Sequence, residues 1–160
     1  TDRFSKVGST PDLTPSDLIE TINNTVGYLQ KRSSEHVNFN LDLPKEEIII
    51  PFNSQLISWT IENLIKNGID AMKGKGTISL RINELEHKVE ILISDTGMGM
   101  PKEIASKIFA PGFTTKSRGW GLGLSLARRI IVDFHQGKIS VVKTTLGKGT
   151  QFRILLNKII

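Results

Sequence analysis

The stretch DTGMGMPKEIASKIFAPGFTTKSRGWGLGLSLARRII, residues 95–131, contains two clusters of glycines around a long, lysine-bearing segment. The first turn of a helix has unpaired backbone N–H groups and a positive dipole, and glycine lets a ligand approach the main chain. The second cluster therefore predicts either a phosphate-binding helix start or a tight loop, and the absence of GKS or GKT excludes a Walker-type loop. The two clusters are Gly97 with Gly99, and Gly119 with Gly121 and Gly123.

Hydrophobic periodicity places the other elements around this stretch. Helical spacing predicts amphipathic helices over 14–36, 53–74 and 121–137, the first with Thr14 or Ser16 as its N-cap. Alternating apolar residues predict strands over 37–44, 76–83 and 88–95, and two more within 138–160 about the turn LGKG. Because the strands come in neighbouring pairs, we expect a mixed sheet with helices on one face.

Composition limits the classes of function. The 160 residues suffice for one domain, and no apolar run approaches the roughly 20 residues that cross a bilayer. The absence of cysteine excludes disulfides and thiolate metal sites and fits a cytoplasmic setting, whether or not the full-length protein is membrane-anchored. The net charge of +5 is scattered along the chain, so we expect no nucleic-acid partner.

Three polar side chains are candidates for a site. Asn63 and Asn67 lie one turn apart on one side of the second helix, and an amide oxygen suits Mg²⁺; the alternative is a pair of solvated polar positions. Asp95, where a strand ends, can accept a hydrogen bond from a ligand amine or cap a turn.

Four ordered motifs and a following GKGTQF resemble the boxes of the GHKL superfamily, and more narrowly the ATP-binding catalytic domain of sensor histidine kinases. The resemblance covers about residues 14–156. It implies a Bergerat fold: an α+β two-layer sandwich whose mixed, mainly antiparallel five-stranded sheet is covered on one face by three helices, with an ATP lid. The catalytic domain would span 14–160, after a linker or hairpin remnant at 1–13. The motifs are IENLIKNGIDAM, DTGMGM, IFAPGFTTK and GWGLGLSLARRII.

The resemblance also implies roles for single residues. Asn67 matches the Mg²⁺ ligand, Asn63 its catalytic companion near the phosphates, and Asp95 the carboxylate that selects adenine. The two glycine clusters match the ends of the lid, while Phe109 and Phe113 would anchor the lid to the core or, as the alternative, contact adenine directly. The full set of implied nucleotide-binding residues is Asn63, Asn67, Asp95, Gly97, Gly99, Met100, Thr115, Lys116, Gly119, Gly121, Leu122, Gly123, Leu124 and Thr150.

The reaction is inferred from one position. ATPases of the superfamily carry a glutamate four residues before the Mg²⁺ asparagine, where this chain has Asn63, and Glu62 would point about 100° away. Phosphoryl transfer is therefore favoured over hydrolysis. The alternatives are a GHKL-type ATPase, an anti-sigma-type serine kinase or a nucleotide-binding module without catalysis.

The phosphoryl acceptor is not recognisable among the three histidines. His36, His87 and His135 lack the expected long helix and following acidic residue, although His135 ends a helix, where a cation is favourable. The resemblance implies an acceptor on an upstream dimerisation hairpin and a response regulator as indirect partner. We therefore expect the chain to bind ATP and Mg²⁺, to be monomeric and to be inactive without that hairpin.

Overall fold

A computed structural model describes residues 11–111 and 123–159 of the chain. No helix within these two ranges is long and apolar enough to cross a membrane. The elements in chain order are β1 (Thr14–Asp17), α1 (Leu18–Arg32), β2 (Val37–Asp42), β3 (Ile49–Phe52), α2 (Ser54–Ala71), β4 (Gly76–Glu84), β5 (Lys88–Asp95), α3 (Lys102–Ala105), α4 (Gly123–Arg128), a π-helical turn (Arg129–Phe134), β6 (Lys138–Thr145) and β7 (Gly149–Asn157).

The main sheet has five strands in the order β2-β4-β5-β7-β6. Only the β2–β4 pair is parallel, and the other pairs are antiparallel. In the centre, Ile91 of β5 lies opposite Ile82 of β4 and Ile154 of β7. The predicted mixed, mainly antiparallel sheet of five strands is therefore confirmed.

Helices cover one face of this sheet. Alternate strand residues, such as Ile78 and Ile91, are fully buried in one cluster with α1, α2 and the π-helical turn. The opposite face is polar: Glu90 accepts hydrogen bonds from Asn83 and Arg153, and these lower the pKa of its carboxyl. The alternation predicted for half-buried strands thus produces a two-layer sandwich.

The start of the domain differs from the prediction. Residues 14–17 form β1, which pairs with β3 in a separate two-stranded sheet, and Asp17 rather than Thr14 or Ser16 caps α1. The Asp17 carboxylate accepts from the N–H groups of Ile19 and Ile48, at 3.0 and 3.1 Å. Pairing with β3, a contact distant in sequence, therefore overrides the local capping signal.

The last helix also differs from the prediction. Instead of one α-helix, α4 passes into a wide π-helical turn, in which the His135 N–H reaches the carbonyl of Ile130 at 3.1 Å. The turn ends at Gln136, whose φ of 56° is left-handed. Such π turns are rare inside helices, and each rotates the residues before it about the helix axis relative to the residues after it.

Candidate functional site

One side of α2 forms the first wall of the candidate site. Asn53 begins the helix, because its Oδ1 accepts the N–H of Leu56 at 3.0 Å. Asn63, Asn67 and Ala71 follow at intervals of four residues, so they share one side of the helix, as the sequence predicted for the two asparagines. The N–H of Met98 donates to the carbonyl of Ala71 at 3.1 Å, which fixes the loop after β5 at this end of α2.

The first residue of α4 lies against Asn63. A Cβ atom at Gly123 would be 2.9 Å from Asn63 Nδ2 and 3.0 Å from Asn63 Oδ1, so a side chain here would displace the Asn63 amide. Among the described residues, this Nδ2 atom is buried and has no hydrogen-bond partner. An unpaired buried donor costs about 1–3 kcal/mol, so the amide is placed to donate to an acceptor that is not part of the described chain.

Asp95 lies at the end of β5 and combines both predicted roles. Its Oδ1 accepts the N–H of Gly97 at 2.8 Å, which is the capping role, and the backbone N–H of Thr150 also donates to the carboxylate. Burial raises the pKa of the Asp95 carboxyl, and these two hydrogen bonds oppose the rise. The carboxylate keeps further lone pairs with which to accept a hydrogen bond from a ligand.

Gly68 of α2 keeps the space beside Asp95 small but open. A Cβ at Gly68 would meet the Asp95 Cβ at 3.0 Å and Oδ2 at 3.3 Å. Gly68 is not among the predicted site residues, although a glycine inside a long helix costs up to about 1 kcal/mol and so signals a close approach.

A hydroxyl network joins the loop after β5 to β7. The Thr144 and Thr150 hydroxyl oxygens are 2.8 Å apart, and the N–H of Met100 donates to Thr144 Oγ1 at 2.9 Å. Gly99, next to Met100 in the chain, has a left-handed φ of 69°, and a Cβ at this residue would collide with the Thr145 carbonyl. The structure thus brings Thr150, Met100 and Asp95 to one end of the candidate site.

The predicted site residues fall into two groups. Those within the described ranges lie on α2, at the end of β5 and in the loop after it, at the start of α4 and in β7, and Leu124 packs against the core. The rest lie outside the described residues: Phe113, Thr115, Lys116, Gly119, Gly121 and Leu122.

Phe109 is the described anchor of the segment after α3. Its ring meets that of Phe152 edge to face, with centroids 6.2 Å apart and planes at 79°. It also packs against the hydrophobic core, and its role as an anchor of the lid stays a prediction.

Two charged or ionisable side chains differ in their exposure. Glu62 pairs with Lys66 at 2.8 Å, and the Lys66 side chain is 60% exposed, so it is a surface charge. His135 is not the favourable cation that its place after a helix predicted, because its side chain is 1% exposed and burial lowers its pKa. Desolvation outweighs the helix dipole there.

The donors available to a metal are amide oxygens. No group of three His, Cys, Asp or Glu side chains in the described ranges could hold an ion. This donor set does not suit a metal bound by protein alone, but it fits Mg²⁺, which takes few protein ligands and keeps phosphate and water oxygens. Asn67, on the same side of α2 as Asn63, could supply one such amide oxygen.

The sequence also matches a known family. The pattern described as "Histidine kinase-, DNA gyrase B-, and HSP90-like ATPase" matches residues 53–159. The sensor protein TdiS of Thauera aromatica is 34% identical over 154 residues, covering 92% of this chain and 28% of TdiS. Sporulation kinase A of Bacillus subtilis (strain 168) is 36% identical over 143 residues, covering 89% of this chain and 22% of that kinase. The chain thus spans about a quarter of these relatives.

Solved structures share the fold. The nucleotide-free catalytic domain of histidine kinase ThkA superposes with a TM-score of 0.84 at 29% identity, covering 93% of this chain and 97% of that one. Histidine kinase ThkA in complex with the response regulator protein TrrA gives a TM-score of 0.78 at 28% identity, covering 91% of this chain and 42% of that one.

Proposed function

The chain belongs to the family of histidine kinase-, DNA gyrase B- and HSP90-like ATPases, and we propose that it is the phosphoryl donor of a two-component sensor kinase. It binds ATP with Mg²⁺ and transfers the γ-phosphoryl group to a histidine on a dimerisation hairpin. In that transfer a bond forms between phosphorus and an imidazole nitrogen, the bond to the β–γ bridging oxygen breaks, and ADP leaves.

The observation that carries this proposal is the buried Nδ2 of Asn63, which lies against the first residue of α4 and has no hydrogen-bond partner among residues 11–111 and 123–159. A phosphate oxygen at this position would accept from Nδ2 and lie beside the backbone at Gly123, where no side chain intervenes. A bound phosphate would then give this amide a hydrogen-bond partner. Asn63 therefore serves to position phosphate.

The other residues would bind the rest of the nucleotide. The Asp95 carboxylate accepts a hydrogen bond from the amino group of adenine. Guanine would present a carbonyl to the same carboxylate and be rejected. Thr150 stands beside this base edge, held by Thr144. Asn67 would hold Mg²⁺, which neutralises charge that develops on the phosphates during transfer.

Hydrolysis is disfavoured by the position of the nearest acid. Glu62 is engaged with Lys66 at 2.8 Å on the outer side of α2, so it does not serve as a base for water beside Asn63. The His135 ring of this chain is buried and both its nitrogens are hydrogen-bonded, so it is not the phosphoryl acceptor. We therefore assign the acceptor to a separate hairpin, which also provides the dimer contacts, and expect the chain alone to be monomeric.

We further propose a cytoplasmic setting, where ATP is available, and a response regulator that receives the phosphoryl group after the hairpin. The complex of ThkA with a response regulator supports this order, because that kinase has a catalytic domain similar to this chain.

The test is transfer of label from γ-³²P-ATP to a histidine-bearing hairpin added in trans or fused before residue 14. We expect acid-labile label on the hairpin, and none with the Asn67→Ala variant as control. Release of inorganic phosphate without the hairpin, at the rate measured with it, would contradict the proposal and favour an ATPase.

A further inference from the structure

We propose that His135 is a positioning residue for the phosphate end of the site, acting by fastening the end of the α4 helix to the start of α2. The inference rests on the proposed function, because it concerns how Gly123 is held against Asn63. It adds to that function a residue that touches neither nucleotide nor metal.

The hydrogen bonds of the ring fix its tautomer. Nδ1 is 2.8 Å from the carbonyl oxygen of Ile130, an acceptor only, so Nδ1 carries the proton. Nε2 is then the acceptor for the backbone N–H of Asn53, at 3.1 Å. The neutral ring is buried and has both nitrogens satisfied, so it joins two elements that lie 82 positions apart in the sequence.

The two helices touch at two places, and the distance between these places is similar along both helices. Asn53 and Asn63 are ten positions apart on α2, about 15 Å along the axis, and Gly123 and His135 span about 18 Å of helix. Gly123 lies at Asn63 and His135 at Asn53, so the helices run antiparallel. The histidine bond therefore sets the axial position of α4 at the end remote from the phosphates.

The π-helical turn makes this fastening sensitive to rotation. The carbonyl of Ile130 accepts both the His135 N–H, at 3.1 Å, and the His135 ring, which favours the wide turn. If the turn tightened into α-helix, the residues before it would rotate by about 100° relative to those after it. Gly123 would then leave Asn63, and a side chain would take its place.

There is little room for an intermediate arrangement. A Cβ at residue 123 would approach Asn63 Nδ2 to 2.9 Å, so a side chain turned to this place would displace the Asn63 amide from its present position. The fully buried Ala127, Ile130 and Ile131 resist any other packing. The position of the phosphate end thus depends on the far end of the same helix.

Two variants separate the two ring bonds. In His135→Gln, the side-chain oxygen reaches the place of Nε2 and still accepts from Asn53, whereas in His135→Asn the shorter amide retains only the donor to Ile130. Val26→Ala, which removes buried methyl groups from α1 outside the site, controls for lost stability. The affinity of a non-hydrolysable ATP analogue is measured by calorimetry, together with the thermal midpoint of each variant.

We expect His135→Asn to bind the analogue about 2- to 30-fold more weakly than the wild type, a range typical of remote coupling. His135→Gln should recover most of that loss, and Val26→Ala should lose stability without losing affinity. If the wild type binds the analogue and both the Asn and the Gln variant bind it with the same affinity, the inference alone would be overturned. A wild type that binds no analogue would overturn the proposed function, and the inference with it.

Discussion

Replacing Asp95 by Asn tests the adenine assignment with a minimal change of shape. The amide oxygen can still accept from the N–H of Gly97, so the loop after β5 keeps that hydrogen bond. The second oxygen becomes an NH₂ group, which meets the amino group of adenine donor to donor.

The size of the effect follows from the bond that is lost. A hydrogen bond to a charged group contributes about 1.5–3 kcal/mol, so we expect ATP-analogue affinity to fall about 10- to 150-fold. The GTP analogue should gain relative to ATP, because the guanine carbonyl accepts from the new NH₂. Calorimetric titration of both analogues measures the two changes.

Unfolding does not account for this expected loss. Burial raises the pKa of Asp95 in the folded chain, so the carboxyl contributes stability at low pH that is lost as pH rises through the folded pKa. Removing this ionisable group should leave the urea midpoint at pH 7 at or above that of the wild type. Asp42→Asn, at the exposed Arg81 pair, is the charge-matched control. Unchanged ATP-analogue affinity in Asp95→Asn, with the control also unchanged, would refute the reasoning.

Three further predictions concern stability and the metal. Gly99→Ala should lower the free energy of unfolding by about 1–3 kcal/mol, because φ is 69° and the Thr145 carbonyl blocks a Cβ; an unchanged urea midpoint would contradict this. Burial lowers the pKa of His135, so its contribution to stability is complete above the unfolded pKa of about 6.5 and is lost as pH falls through the folded pKa. When the pH is lowered from 7.5 to 5.5, the free energy of unfolding should therefore fall more in the wild type than in His135→Gln, by at most about 1.4 kcal/mol per pH unit. Urea denaturation at the two pH values measures this, and equal falls in the two proteins would count against the prediction. Asn67→Ala should abolish the gain in ATP-analogue affinity on adding Mg²⁺ without changing Mg²⁺-free binding, and calorimetry that still showed the gain would exclude Asn67 as ligand.

The sheet and the long helices were predictable because their signals are local. The alternation over 88–95 and the helical spacing over 53–74 match β5 and α2 closely. Strand β3 was missed because IIPF is a short apolar run containing a proline, and its partner β1 is distant in sequence. The cap at Asp17 was missed for the same reason, since one of its two donors is Ile48.

The candidate site was only partly predictable. The spacing of Asn63 and Asn67 places them on one side of a helix, and a strand end places Asp95 beside the loop. Two contacts join residues more than 50 positions apart: Gly123 contacts Asn63, and His135 contacts Asn53. Nothing in the local pattern indicates such contacts, which is why His135 was read as a favourable cation.

The most direct test of the central claim is calorimetric titration of the wild-type chain with non-hydrolysable ATP and GTP analogues, each with and without Mg²⁺. We predict binding of the ATP analogue that strengthens with Mg²⁺, and much weaker binding of the GTP analogue. Equal binding of both analogues, or binding of neither under any of the four conditions, would contradict the assignment of Asp95, Asn63 and Asn67 to a nucleotide site.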